Sequence, residues 1–233
     1  GLLPPRHGVE ANLWIQAAEN WKGEENRHVK DLPILERVKQ LEMIALPSSV
    51  DTMSEHLSKA GYQTVCVGSN MNVCEEIGFS RGFDHFTVVQ DRDAAEIASE
   101  VKRIAAELDP ERPSYYFLHY MDPHAPYGQR KPWCPHTKKS DCDSRCRYLS
   151  EIAFMDQEIE RLFTDMGWPD DTIVIVVSDH GEEFHEHGGV MHRYTVYQEL
   201  SRSALMLYGP GEAPRRSDLP AHHVDILPTI VEI

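Results

Sequence analysis

The sequence predicts an α/β fold built on a mostly parallel central sheet sandwiched between helices. Three observations carry that expectation. Thr172–Val177 is a run of six apolar or β-branched residues, the pattern of a strand buried on both faces. Thr64–Gly68 (TVCVG) and Tyr115–Tyr120 (YYFLHY) are further strand-like runs. Amphipathic segments alternate with these runs, and that rhythm implies parallel strands joined by crossovers, with helices over both sheet faces.

Taken in order, Gly1–Ala45 is irregular and polar, with one helix expected near Leu35–Ile44. Asp51 or Thr52 caps a short helix with Met53, Leu57 and Ala60 on one face. Glu55 stands three residues after Thr52, as a capping box requires, and Gly61 ends the helix. The TVCVG strand follows, then Ser69-Asn70 and a loop rich in glycine and aromatic residues. Ala94, Ile97, Val101, Ile104 and Leu108 recur at spacings of three and four, a helical stripe stopped by Pro110 and Pro113. After YYFLHY comes the turn MDPHAPY. A helix from about Leu149 to Met166 is expected to turn Leu149, Ile152, Ile159, Leu162 and Phe163 inward, with Gly167 and Pro169 breaking it. Ser203–Tyr208 reads as a short strand closed by Gly209-Pro210-Gly211. Val224–Val231 reads as a last helix, limited by Pro228.

A chain of 233 residues can bury one sizeable core, and no Gly/Ser/Pro-rich linker divides it. The expectation is a single domain over 1–233, with 128–148 as a cysteine-bearing insertion loop. The formal charge of −15 argues against a nucleic-acid or anionic-membrane surface. It leaves an anionic small substrate open, because a bound metal and a few local cations reverse the field within one cleft. No apolar run approaches the ~20 residues that cross a bilayer. Cys66 and Cys74 read as inert packing. Cys134, Cys142 and Cys146 crowd a polar stretch beside His136, where a disulfide is the first reading, free thiols the second and structural zinc the third. The oligomeric state is not legible.

Three strand ends carry polar groups: Ser69-Asn70, His124, and Asp179-His180. In a parallel sheet they share one edge, where ligands bind. A carboxylate beside an imidazole on a rigid strand end suits a divalent cation, and a satisfied ion pair is the plainer alternative. His185, His187 and His192 follow. Glu182 and Glu183 read as a solvated loop face, with support of the site as the lesser reading.

The ordered segments FLHYMDPHAPY, YLSEIAFMDQEIERLF, DDTIVIVVSDHGEEFHEHGG, VYQELSRSALMLYGPG and HHVDILPTI resemble the sulfatase family of the alkaline-phosphatase-like superfamily. The segments GLLPPRHGV, TMSEHLSKAGYQTVCVGSN and GFSRGFDHF fit the same family. The resemblance implies a metal-dependent hydrolase of sulfate esters. A phosphodiesterase, phosphonate hydrolase or phosphoethanolamine-type transferase of the same superfamily is the first alternative, and a non-catalytic binding domain the second.

By that resemblance Asp179 and His180 are metal ligands, for calcium first and for manganese, magnesium or zinc as alternatives. His124, His192 and Arg193 are catalytic. His124, His187 and Arg193 bind an anionic small-molecule or glycan sulfate or phosphate ester. Asp122 orients the HAPY turn, and Arg6 and His7 belong to a structural loop. Two departures stand out. Ser69-Asn70 replace a family lysine, and none of the five cysteines lies in the C/S-x-P-x-R context that yields formylglycine. The expectation is therefore a sulfatase core incomplete at both ends, lacking the nucleophile region and the C-terminal subdomain, and inactive alone. The resemblance favours an exported or lysosomal-type compartment.

Overall fold

The computed structural model describes residues 45–70, 72–89, 91–134, 143–168, 171–192, 195–211, 213 and 215–232. The helix expected near Leu35–Ile44, and also Arg6, His7, His136, Cys142 and Arg193, lie outside them. The chain divides into two compact units. Gly1–Arg92, Arg103–His119 and Asp218–Ile233 form the first; Asp93–Lys102 and Tyr120–Ser217 form the second.

In the first unit, α1 (Met53–Lys59) starts at the expected capping box: the Thr52 hydroxyl accepts from the Glu55 amide, and the Glu55 carboxylate accepts from the Thr52 amide at 2.7 Å. Arg81 locks this corner by donating to the carbonyls of Pro47 and Val50 and to Glu55. Gly82 passes so close that a Cβ there would stand 2.3 Å from the Glu55 nitrogen, and its φ is +80°. Only glycine meets both demands.

Strand β1 (Gln63–Gly68) is buried throughout and lies between β2 (His85–Val88) and β3 (Ser114–His119), parallel to both. Its apolar centre suits a strand covered on both faces, while its polar start is tied down. The Gln63 amide group pairs with the backbone of Asp109 in both directions at 2.8 Å, and the Thr64 hydroxyl donates to the Gly82 carbonyl. Burial pushes the Cys66 thiol up to about 12, as inert packing requires. The carboxyl-terminal helix α5 (Ile226–Glu232) follows a 3-10 turn at His223–Asp225 and carries Pro228 in its first turn, where no intrahelical amide is lost.

Helix α2 (Ala94–Ala105), whose amino-terminal part belongs to the second unit, buries Ala94, Ile97, Val101 and Ile104 as its stripe predicts; Leu108 falls beyond its end. Helix α3 (Ser144–Met166) begins earlier than expected because Asp143 caps it, accepting from the Cys146 amide at 2.7 Å. Its inward face also differs. Leu149 is exposed, and the buried positions are Ser150, Glu151, Glu158 and Leu162. Two acids take inward positions because each has a cation: Arg130 for Glu151 and Arg161 for Glu158. Cys134 is buried and disulfide-bonded, while Cys146 is a free cysteine whose sulfur lies 2.9 Å from that of Cys134.

Strand β4 (Val174–Val177) was expected to be parallel and buried on both faces. It pairs antiparallel with β7 (Leu205–Tyr208), and Val177 is exposed together with all four residues of β7. A two-stranded ribbon of this kind cannot shield both of its own faces, whatever the apolarity of its residues. Between them lie two elements the periodicity does not announce, the short hairpin of β5 (Glu183–Phe184) with β6 (Val190–Met191) and the single turn α4 (Gln198–Ser201).

Candidate active site

The second unit builds a site around the end of β4. The ribbon closes where Ser178 exchanges hydrogen bonds with Ala204, through its amide at 3.1 Å and its hydroxyl at 2.8 Å. Asp179, His180 and Gly181 follow. The Gly181 amide donates to the Leu200 carbonyl at 2.8 Å, and a Cβ on Gly181 would stand 2.0 Å from the Glu199 carbonyl oxygen. This glycine permits close passage beside α4.

His180 is held in one tautomer. Its Nδ1 lies 2.7 Å from the Gly181 carbonyl, which can only accept, so Nδ1 carries the proton and Nε2 of the neutral ring keeps its lone pair. That nitrogen is 3.5 Å from Asp179 Oδ2, and Asp179 Oδ1 accepts from the His180 amide. The Asp179 carboxylate is 85 % exposed, so it lacks the cover a structural ion pair would have.

His124 repeats the device, with Nδ1 donating to the Ala125 carbonyl at 2.6 Å. His192 donates from Nδ1 to Glu182 at 3.2 Å. Its ring lies 4.0 Å from that of His180 and 5.8 Å from that of His124. Three imidazoles from separate segments therefore gather with their Nε2 atoms available.

Glu182 is not a solvated loop residue: its side chain is 5 % exposed. It accepts from His192 and, at 2.6 Å, from the Tyr127 hydroxyl. Burial opposes its ionisation, yet the hydrogen bonds from His192 and Tyr127 outweigh that and hold the carboxyl below the usual range. Burial, reinforced by Glu182, pushes the Tyr127 phenol up. Tyr127 in turn packs against Tyr148 and Phe184. Glu183 is also buried, its Oε1 accepting from the amides of His187 and Gly189. Glu182 is inside with His192 and Tyr127, and Glu183 with two amides of the β5–β6 hairpin, partners that sequence periodicity does not reveal.

His187 bonds through Nδ1 to Glu199 and stacks on Tyr197 at 3.7 Å. Arg193 lies outside the described residues. Ser69 is buried in the first unit, and Asn70 caps its own turn by accepting from the Asn72 amide.

Asp122 does not orient the HAPY turn. Its Oδ1 accepts from the Ala94 amide at the start of α2 and lies 3.6 Å from Arg130, while Oδ2 is buried with no hydrogen-bond partner among the described residues. Burial raises its pKa to about 6, against the lowering effects of the Ala94 amide and Arg130. The folded chain thus keeps a proton that the unfolded chain releases between pH about 4 and 6. Asp122's contribution to stability must fall as pH rises through that window. Asp122→Asn is expected to remove this segment of the slope, read as the difference between wild-type and variant unfolding free energies across the window.

Comparison with known proteins decides the family. The Sulfatase family model matches residues 26–233. The chain belongs to the sulfatase family. Among curated relatives, this sulfatase-family chain is 30% identical over 93 residues to the choline-sulfatase of Rhizobium meliloti (strain 1021), covering 39% of the chain and 18% of that protein. Among solved structures, it superposes on Ps i-CgsB in complex with k-i-k-neocarrahexaose with a TM-score of 0.60 at 13% identity, over 81% of this chain and 54% of that one. A protein bound to its substrate, D-glucosamine-2-N,6-O-disulfate, matches with a TM-score of 0.55 at 16% identity, over 74% of this chain and 59% of that one. The α/β fold is therefore that of sulfatases, and the chain spans little more than half the length of these solved relatives.

Proposed function

We propose that this chain supplies the metal-holding and anion-binding side of a sulfuric ester hydrolase. The observation that carries the reading is the pairing of Asp179 with a His180 whose Nδ1 proton is committed to a carbonyl, so that Nε2 and a carboxylate oxygen lie 3.5 Å apart as unprotonated donors. That donor set fits a divalent cation. A bound cation would supply charge stabilisation at the ester oxygens, with calcium the first candidate on the family resemblance and not on the donor set.

The chain's own residues do the rest. Glu182 and Tyr127 fix the His192 ring, and the Ala125 carbonyl fixes His124. Both rings then present Nε2 toward an anionic ester, and in the doubly protonated form of the ring Nε2–H can donate a hydrogen bond to one of its oxygens. Arg193, which follows His192 in the sequence, is the permanently charged residue proposed to bind the same anion. The nucleophile is sought outside these 233 residues, as a formylglycine if the full-length protein cleaves sulfate esters. A histidine at 180, where many sulfatases carry asparagine, favours phosphate esters as the second reading.

Ester preference separates the two. The full-length protein is offered a sulfated amino sugar, choline-O-sulfate, an aryl sulfate and the matching phosphate mono- and diesters, with calcium or manganese present. Inorganic sulfate is the expected product. Release of phosphate alone would move the protein to the phosphoryl branch, and release of neither would favour a binding role.

A further inference from the structure

We propose a second cation site, formed by Glu183, His187 and Glu199 and selective for a first-row transition ion such as zinc. It shares no residue with Asp179 and His180 and does not depend on the role proposed for them. One carboxylate oxygen from each glutamate and one imidazole nitrogen lie within 4.8 Å of one another. They come from three segments: β5, the hairpin turn and α4. Within a hairpin strand and a single helical turn, nothing in local structure requires two carboxylates to face each other.

The preparation of Glu183 is the second observation. Its residue is 3 % exposed, and Oε1 is fixed by the His187 amide at 3.1 Å and the Gly189 amide at 2.8 Å. The two amides hold the carboxylate in place, the usual support of a ligating carboxylate. A Cβ at residue 189 would stand 2.7 Å from Oε2, so glycine keeps that side of the carboxylate clear. His187 is braced by the face of Tyr197 and is 43 % exposed at its side chain, which leaves a coordination position open to water.

The chemistry selects the ion. Two carboxylates and one imidazole neutralise a divalent charge and leave a fourth position, a common zinc arrangement. Calcium prefers six to eight oxygens and is poorly served. The ion would displace the proton that His187 Nδ1 shares with Glu199, so binding releases a proton. The competing reading is that the His187–Glu199 hydrogen bond only ties the hairpin to α4.

The test uses the full-length protein carrying Asp179→Asn and His180→Ala, stripped by chelation and titrated with zinc alone. Retention of one zinc per chain is expected. Adding Glu199→Gln should weaken it at least about 100-fold and abolish the visible absorption of the cobalt-loaded form. His187→Asn, at a half-exposed position, gives the same reading should Glu199→Gln unfold. No zinc retained in the Asp179→Asn, His180→Ala background overturns the proposal. Zinc affinity unmoved by both Glu199→Gln and His187→Asn overturns it equally.

Discussion

His192→Ala in the full-length protein is expected to lower turnover of the ester substrate by about 10²–10³-fold, the usual cost of deleting one preorganised donor to a charged reacting group. Its ring sits between His180 and His124 and is held from behind by a buried carboxylate. Glu182→Gln separates placement from contact. The glutamine keeps the shape but loses the charge that accepts from both His192 and Tyr127, and a loss of about 10–100-fold is expected. Steady-state kinetics check both. Equal activity of wild type and His192→Ala would remove His192 from the machinery, whatever the geometry suggests.

Arg130→Met carries the largest expected stability effect. Arg130 meets Glu151 at 2.7 Å, Asp93 at 3.2 Å and Asp122 at 3.6 Å, and its guanidinium lies 4.1 Å from the centre of the Phe154 ring. The Glu151 and Asp122 side chains are nearly or fully buried. Taking away the shared cation leaves these buried carboxylates without their counter-charge, a loss of about 3–5 kcal/mol. Urea unfolding measures it. Arg103→Met is the contrast, because its pair with Glu107, just past the end of α2, is solvent-exposed and contributes about 0.5 kcal/mol or less. Similar losses for the two variants would mean that the Arg130 cluster is as solvated as the surface pair.

These two sites also show what the sequence could and could not disclose. The capping box at Thr52, the buried run of β1 and the stripe of α2 up to Ile104 are local signals, and these three appear where the sequence places them. Asp179, His180 and His124 were legible as strand-end groups, and the ordered family segments gave them candidate roles. Burial of acids was not legible. Glu182, Glu183 and Glu151 have the spacing of solvated residues, and only their partners, distant in sequence, bring them inside: His192 and Tyr127, two hairpin amides, and Arg130. The direction of β7 was likewise hidden, since an apolar run has the same composition parallel or antiparallel. Leu149 was misplaced for a related reason. A helix face is chosen by what lies opposite, and Arg130 draws Glu151 inward in its place.

The central claim is that Asp179 and His180 hold the divalent cation of a sulfuric ester hydrolase. Calcium titration of the full-length protein, run beside its Asp179→Asn variant with sulfate release followed in the same samples, tests it most directly. Calcium binding is expected to weaken at least about 100-fold in Asp179→Asn, with sulfate release lost in parallel. Unchanged calcium affinity and undiminished sulfate release in Asp179→Asn would contradict it.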